Sequence, residues 1–312
     1  MIFIILLFLA IFWWPNGMVA TSPPPTPTEP PPATVSMPYY RLPERLTLCG
    51  ELVPINDQAV WEDLDKEFII VVWSRVQTTL WIKRATRYFP YIEKKLRQAR
   101  LPDDLKYVAV VESDLRPEVR SPRDAWGPWQ IIRPTANRFD LKTEKHLDER
   151  MDFAAATEAA LQYLQFLFQK FGNWTLALAA YNCGEGRLAR EINEQGVQDY
   201  YRLSLPEETE RYVLRIIAAK IVLSQPAQYG YEIPADQCYP PLEYDQVQFI
   251  LTREVQVQEV AQACGTYYKT IKRLNPQLQG NTLVPGFYRL KVPPGSAPGF
   301  YESLVTGQLT IP

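Results

Sequence analysis

The chain has 312 residues, 46% of them hydrophobic, which supports one sizeable folded domain plus one or two small modules and argues against a disordered chain. Thirty-three lysines and arginines stand against 35 acids, a formal net charge of −2. That balance argues against nucleic acid as the main partner, because phosphate binding needs a basic surface. The single histidine, His146, removes most histidine-based metal sites and argues against Ser-His-Asp or Cys-His chemistry. Its neighbours Lys142, Lys145, Asp148 and Glu149 make it read as a surface loop residue. None of Cys49, Cys183, Cys238 and Cys264 makes a C-x-x-C pair, so no metal and no cofactor is expected. An even cysteine count is compatible with disulfides in an exported protein. Cys49 and Cys238 flank the main domain and could staple its ends, the pairing not being readable from sequence.

Residues 1–21 read as a signal peptide or an anchor. The apolar run Met1–Trp14 has the length of a signal-peptide core and falls short of the ~20 residues that span a bilayer. Met18-Val19-Ala20 offers a small residue for cleavage. No Lys or Arg precedes the run, and an uncleaved anchor extended through Ala20 is the alternative. Residues 22–45 read as a linker. Its Ser22–Pro38 part, rich in proline and threonine, would be extended and could reach about 50 Å at ~3.1 Å per residue.

Residues 46–235 read as an all-α domain of several short helices. Leu101–Ser113 has Pro102 and two acids at its start, as suits the positive end of a helix. Leu105, Val108 and Glu112 share one face at spacings of three and four. Glu112 therefore ends an apolar stripe, where a solvated carboxylate is out of place. Burial there would raise its pKa, and a protonated glutamic acid near neutral pH can donate a proton to a glycosidic oxygen. The bland reading is a helix-end glutamate exposed beyond the last turn. Asp114 lies about 200° around the helix and should not face the same groove; Asp124 and Asp140 lie in loops. Further on, Ala160, Leu164, Leu167, Phe168 and Phe171 form one stripe, stopped by Gly172. Trp174–Asn182 reads as a second apolar helix, closed by Gly184 and Gly186. Arg211–Leu223 reads as another, ended by Pro226. No strand of useful length is expected before residue 245.

Residues 245–295 change pattern. Phe249–Leu251 reads as a strand, Val257–Ala263 as a helix ended by Gly265, and Tyr268–Leu274 as a helix stopped by Asn275-Pro276. Pro285–Val292 reads as a turn and a strand. The order is β-α-α-β.

Four motifs, in order, carry a resemblance: Glu112-Ser113, Gly127-Pro128-Trp129-Gln130, Ala180-Tyr181-Asn182-Cys183-Gly184, and Glu208-Thr209 with Tyr212-Val213. Together they resemble the soluble lytic transglycosylase family, in its membrane-bound D-type branch, from about Val53 to Pro294. The resemblance implies a mainly α, lysozyme-like catalytic domain that cleaves the β-1,4 bond between N-acetylmuramic acid and N-acetylglucosamine of peptidoglycan glycan strands. It implies one carboxylate acting as acid and then as base, with the C6 hydroxyl attacking C1 to leave a 1,6-anhydro end. Glu112 is then catalytic. Ser113, Ser121, Gln130, Tyr181, Asn182 and Tyr212 are then substrate-binding, with Ser121 orienting the attacking hydroxyl and Tyr212 hydrogen-bonding near Glu112. Ordinary core packing is the alternative for Tyr181 and Tyr212. Trp126, Trp129 and Trp174 are candidates for stacking on sugars, core packing being favoured for at least two of them. Cys183 replaces a usual alanine, Pro128 a usual leucine, and Arg123, Asp124 and Trp126 small residues. The C-terminal part resembles a LysM module, a binder of N-acetylglucosamine, with Arg253-Glu254-Val255 in place of the usual Gly-Asp-Thr. The resemblance also implies an exported monomer of the periplasm or cell envelope, with membrane association through its N-terminal segment. A lysozyme-like hydrolase and an inactive wall-binding scaffold are the competing readings.

Overall fold

A computed structural model describes residues 38–305 and 309–310. The expected leader or anchor, and the linker up to residue 37, lie outside the described residues. The chain divides into Met1–Tyr40 and Arg41–Pro312. In the first of these, Pro38–Tyr40 have no regular structure. Among the described residues no helix is long and apolar enough to cross a membrane.

The second unit opens with a small hairpin, β1 (Thr47–Leu48) and β2 (Glu51–Leu52), paired Thr47 to Leu52. Helix α1 (Gln58–Trp73) starts on Asp57, whose carboxylate accepts the Ala59 amide at 3.0 Å, a side-chain cap for an otherwise unpaired donor. Helix α2 (Arg75–Ala99) follows, then a 3-10 turn at Asp103–Leu105 and α3 (Lys106–Ser113). Tyr107, Val108, Ala109 and Val110 are all buried, so α3 is apolar on every side, as a central helix must be. A second hairpin, β3 (Ala125–Trp126) and β4 (Ile131–Ile132), leads into α4 (Arg133–Arg138).

Helix α5 (Phe153–Phe171) starts on Asp152 and ends at Gly172, which has φ 81°, the left-handed conformation that glycine adopts without steric cost. Asn173 then caps α6 (Trp174–Cys183), Gly184 separates it from α7 (Glu185–Gln195), and α8 (Glu207–Ser224) carries three acids in its first turn, complementing its positive end. Helix α8 packs on α1, α3 and α6, and α5 packs on α6; the core lies where these helices meet.

The C-terminal part contains β5 (Asp245–Leu251), β6 (Val255–Gln256), α9 (Val257–Ala263), α10 (Tyr268–Leu274), β7 (Thr282–Leu283), β8 (Gly286–Val292), α11 (Ala297–Val305) and β9 (Leu309–Thr310). Strand β5 lies between β8 and β9, antiparallel to both, with Asp245 opposite Val292 and Leu251 opposite Gly286. Val247, Phe249 and Leu251 point inward while Gln246, Gln248 and Ile250 face out, the period of two of a half-buried strand. Phe300 from α11 and Leu147 from the helical part complete this core.

The mainly helical class stands, and the strand–helix–helix–strand order is present. Four strands precede residue 245, each of only two residues, in line with the expectation of none of useful length there. Two expectations are corrected. Residues beyond 295 join the C-terminal core through Phe300. All four cysteines are free thiols, so Cys49 and Cys238 form no staple.

Candidate active site

Glu112 sits on the last turn of α3, half-buried, facing α8. Tyr212 of α8, almost wholly buried, donates its hydroxyl to Glu112 Oε1 at 2.5 Å. Burial pushes the Glu112 carboxyl up to about 7, because a charge among apolar groups loses its hydration. The Tyr212 hydrogen bond and the positive charge of Arg215 oppose that rise, and the negative charge of Glu208 adds to it. The hydroxyls of Tyr212 and Tyr181 are held well above their ordinary range by burial first and by the charge of Glu112 second. Tyr212 therefore stays a donor to the carboxylate.

The chain turns sharply after Glu112. Asp114 and Leu115 both have positive φ, 55° and 58°, and the Leu115 amide bonds back to the Ala109 carbonyl at 3.2 Å. That turn directs Asp114 onto α2. Its carboxylate accepts from Trp81 Nε1 at 2.6 Å and Gln77 Nε2 at 3.1 Å. Asp124 is engaged by Arg150 and Arg133, each at 3.4 Å, and Asp140 is exposed on its loop. Glu208 is exposed and faces Arg123 at 3.5 Å.

The β3–β4 hairpin forms the wall beside Glu112, and backbone carbonyls tie it down. Ser113 Oγ donates to the Pro128 carbonyl at 2.8 Å, and Tyr181 Oη to the Trp129 carbonyl at 2.7 Å. Trp129 is fully buried, with its ring nitrogen donating to Thr157 Oγ1 at 3.0 Å. Gln130, at φ 47°, turns its amide back to the Gly127 carbonyl at 2.8 Å. Asn182 Oδ1 accepts from Thr209 Oγ1 at 2.8 Å, joining α6 to α8.

The sequence candidates thus separate. Glu112 and Tyr212 are in contact. Tyr181 lies close enough for the Glu112 charge to act on its hydroxyl, Asn182 is tied to α8 through Thr209, and Gln130 turns its amide onto the loop backbone at Val119 and Gly127. Ser113 is buried with its hydroxyl donated to the Pro128 carbonyl, so it holds the hairpin loop. Ser121 Oγ accepts from the Arg123 and Ala125 amides at 3.2 and 3.1 Å, shaping the turn before the hairpin. Trp126 has Arg120 over its ring at 4.3 Å and Arg150 at 4.6 Å, and Trp129 and Trp174 are buried. Sequence reasoning missed Arg150 and Arg215. Nothing in their local pattern marks either: each meets its partners only in the folded chain.

A model of the family "Transglycosylase SLT domain" matches residues 89–204. The matched stretch contains Glu112, the hairpin and Tyr181, and the contact from Tyr212 comes from just beyond it. The chain is 32% identical over 232 residues to the membrane-bound lytic murein transglycosylase D of Escherichia coli K12, covering 72% of this chain and 50% of that protein. It is 35% identical over 116 residues to a putative tributyltin chloride resistance protein of an Alteromonas species, covering 36% and 56%. The match spans about half the length of each relative. Among solved structures, the 70-kDa soluble lytic transglycosylase of E. coli is similar with a TM-score of 0.38 and 22% identity, over 50% of this chain and 27% of that one.

Proposed function

We propose that this chain is a peptidoglycan lytic transglycosylase with Glu112 as its general acid and base. One observation carries the reading: a carboxyl raised to about 7 lies in contact with a buried tyrosine donor, inside a transglycosylase SLT domain. Protonated Glu112 gives its proton to the glycosidic oxygen as the bond from that oxygen to C1 of N-acetylmuramic acid breaks. The resulting carboxylate takes the proton of the C6 hydroxyl as that oxygen bonds to C1. The proton lost in the first half is regained in the second, so no water is consumed and one carboxylate suffices. Tyr212 supports the carboxylate in the charged half of the cycle, and Tyr181, Asn182 and Gln130 line the cleavage site.

The engagement of Asp114 and Asp124 supports a single-carboxylate mechanism over hydrolysis, which needs a second carboxylate across the groove. A recess lined by Gln256, Gln258, Tyr268 and Asn281, with Tyr267 exposed beside it, supports a sugar-binding role for the LysM-like C-terminal part. The apolar N-terminal run and the similarity to a membrane-bound murein enzyme support placement in the cell envelope.

The test is digestion of purified peptidoglycan with the protein and with Glu112→Gln, followed by mass spectrometry. The expected products are anhydro-muropeptides, about 18 Da lighter than hydrolysed ones by loss of water and absent with the variant. Reducing-end products would establish a hydrolase. Wall binding without products would establish a scaffold.

A further inference from the structure

The C-terminal part is joined to the backbone of the loop behind the active-site hairpin. The Asp148 amide donates to the Gln277 carbonyl and the Gln279 amide to the His146 carbonyl, both at 2.8 Å, and Leu147 pairs with Leu278 as an antiparallel bridge. The Leu147 side chain enters the C-terminal hydrophobic core. Lys291 on β8 pairs with Asp152, the α5 cap, at 2.7 Å, both largely buried.

Arg150, two residues beyond that pairing, reaches the hairpin. Its guanidinium is wholly buried and held by Asp148 in two contacts, 2.9 and 2.7 Å. It donates to the Asp124 carbonyl at 2.6 Å and the Ile131 carbonyl at 3.2 Å, so one side chain grips the hairpin on both sides. The backbone of Arg150 is equally close: a Cβ added to Gly127 would lie 1.7 Å from its carbonyl oxygen. Arg120, which also lies over the Trp126 ring, donates to Gln279 Oε1 of the C-terminal part. The hairpin so held presents the Pro128 and Trp129 carbonyls to Ser113 and Tyr181 beside Glu112.

We propose that the C-terminal part braces the active-site hairpin, and that Arg150 is the positioning residue through which it acts. The proposal rests on Glu112 being the catalytic group, and it makes catalysis on a short substrate depend on residues that never touch that substrate. A buried ion pair is by itself weak evidence for stability, so the proposed role of Arg150 is read from the hairpin carbonyls it holds.

The test uses the full chain carrying Leu147→Ala with Gln279→Ala, which loosens the junction without removing a group from the groove, and separately Arg150→Lys, which keeps the charge and loses the fork. Two readouts are taken: kcat and KM on a soluble peptidoglycan tetrasaccharide, and amide hydrogen exchange of Ser121, Gly127 and Gln130. The expected result is a fall in kcat of about tenfold with KM changed less than about twofold, as small misplacements of reacting groups produce. Faster exchange at those three amides, with α8 unchanged, should accompany it. Unchanged hairpin exchange overturns the brace whatever the activity. So does an effect confined to KM on whole sacculi, which would leave only a wall-binding role. Faster hairpin exchange in a protein whose unaltered form cleaves nothing would uphold the brace and overturn the transglycosylase reading.

Discussion

Glu112 and Tyr212 form a pair whose two halves can be separated by mutation. The Tyr212 hydroxyl lowers the Glu112 pKa by bonding its charged form, against the larger effect of burial. Catalysis needs the protonated acid, so kcat/KM should fall as pH rises through about 7. In Tyr212→Phe that alkaline limb should move to higher pH, with a maximal rate roughly tenfold lower, the scale of one hydrogen bond to a charged group. A pH–rate profile with an unmoved limb would remove Tyr212 from the pair. The same raised pKa has a stability consequence. The folded state holds a proton on Glu112 that the unfolded chain has already released, so the carboxyl costs stability progressively from its ordinary pKa up to about 7. Glu112→Gln should therefore raise the melting temperature little at pH 4 and more at pH 8, by the equivalent of about 1–3 kcal/mol. Thermal melts at pH 4, 6 and 8 check this, and a gain independent of pH would refute it. Glu112 was legible in the sequence because it breaks an apolar stripe. Tyr212 lies 100 residues away, and spacing alone could not join the two; the motif resemblance did. Ser113 and Ser121 hold the hairpin and the turn before it through their hydroxyls, a task the sequence did not signal, because a hydroxyl reads the same whether it binds a ligand or holds a turn.

At the scale of elements, the β3–β4 hairpin depends on one glycine. Gly127 has φ 82°, and its Cα rests against the Arg150 carbonyl. Gly127→Ala would need both a left-handed alanine and a displaced backbone, costs of about 1–2 and 1–3 kcal/mol. Chemical denaturation should show a loss of roughly 3 kcal/mol or more; a loss under about 1 kcal/mol would mean that the hairpin shifts freely. Five helices were legible one by one: α5, α6, α8, α9 and α10 carry a helical stripe, a cap or a glycine or proline stop. Hairpins of two-residue strands were not, since two residues carry no alternation, and the β3–β4 pair is anchored from elsewhere, by Arg150 on its backbone and by Thr157 on the Trp129 ring. Helix α11 was also missed. Its Ala297-Pro298-Gly299 start reads as a turn, and its helicity comes from burying Phe300 against Phe249, ring centroids 5.1 Å apart. Tertiary packing overrides local preference there.

At the scale of the whole molecule, the backbone pairing of residues 146–148 with 277–279 makes the helical and C-terminal parts share a boundary, with Leu147 lodged in the far core. Parts that share buried surface in this way should unfold together. The eight tryptophans provide the means to check this, because all of them precede residue 175 and none reports directly on the C-terminal core. Phe300 is fully buried in that core, and Phe300→Ala should cost it about 3–5 kcal/mol. If the parts are coupled, the variant's tryptophan fluorescence should melt at a lower temperature, by the same shift that calorimetry finds for the whole chain. An independent C-terminal part would melt early in calorimetry and leave the tryptophan transition where it was. That outcome would also make the junction too weak to hold the hairpin, since an element that opens on its own cannot fix the geometry of its neighbour.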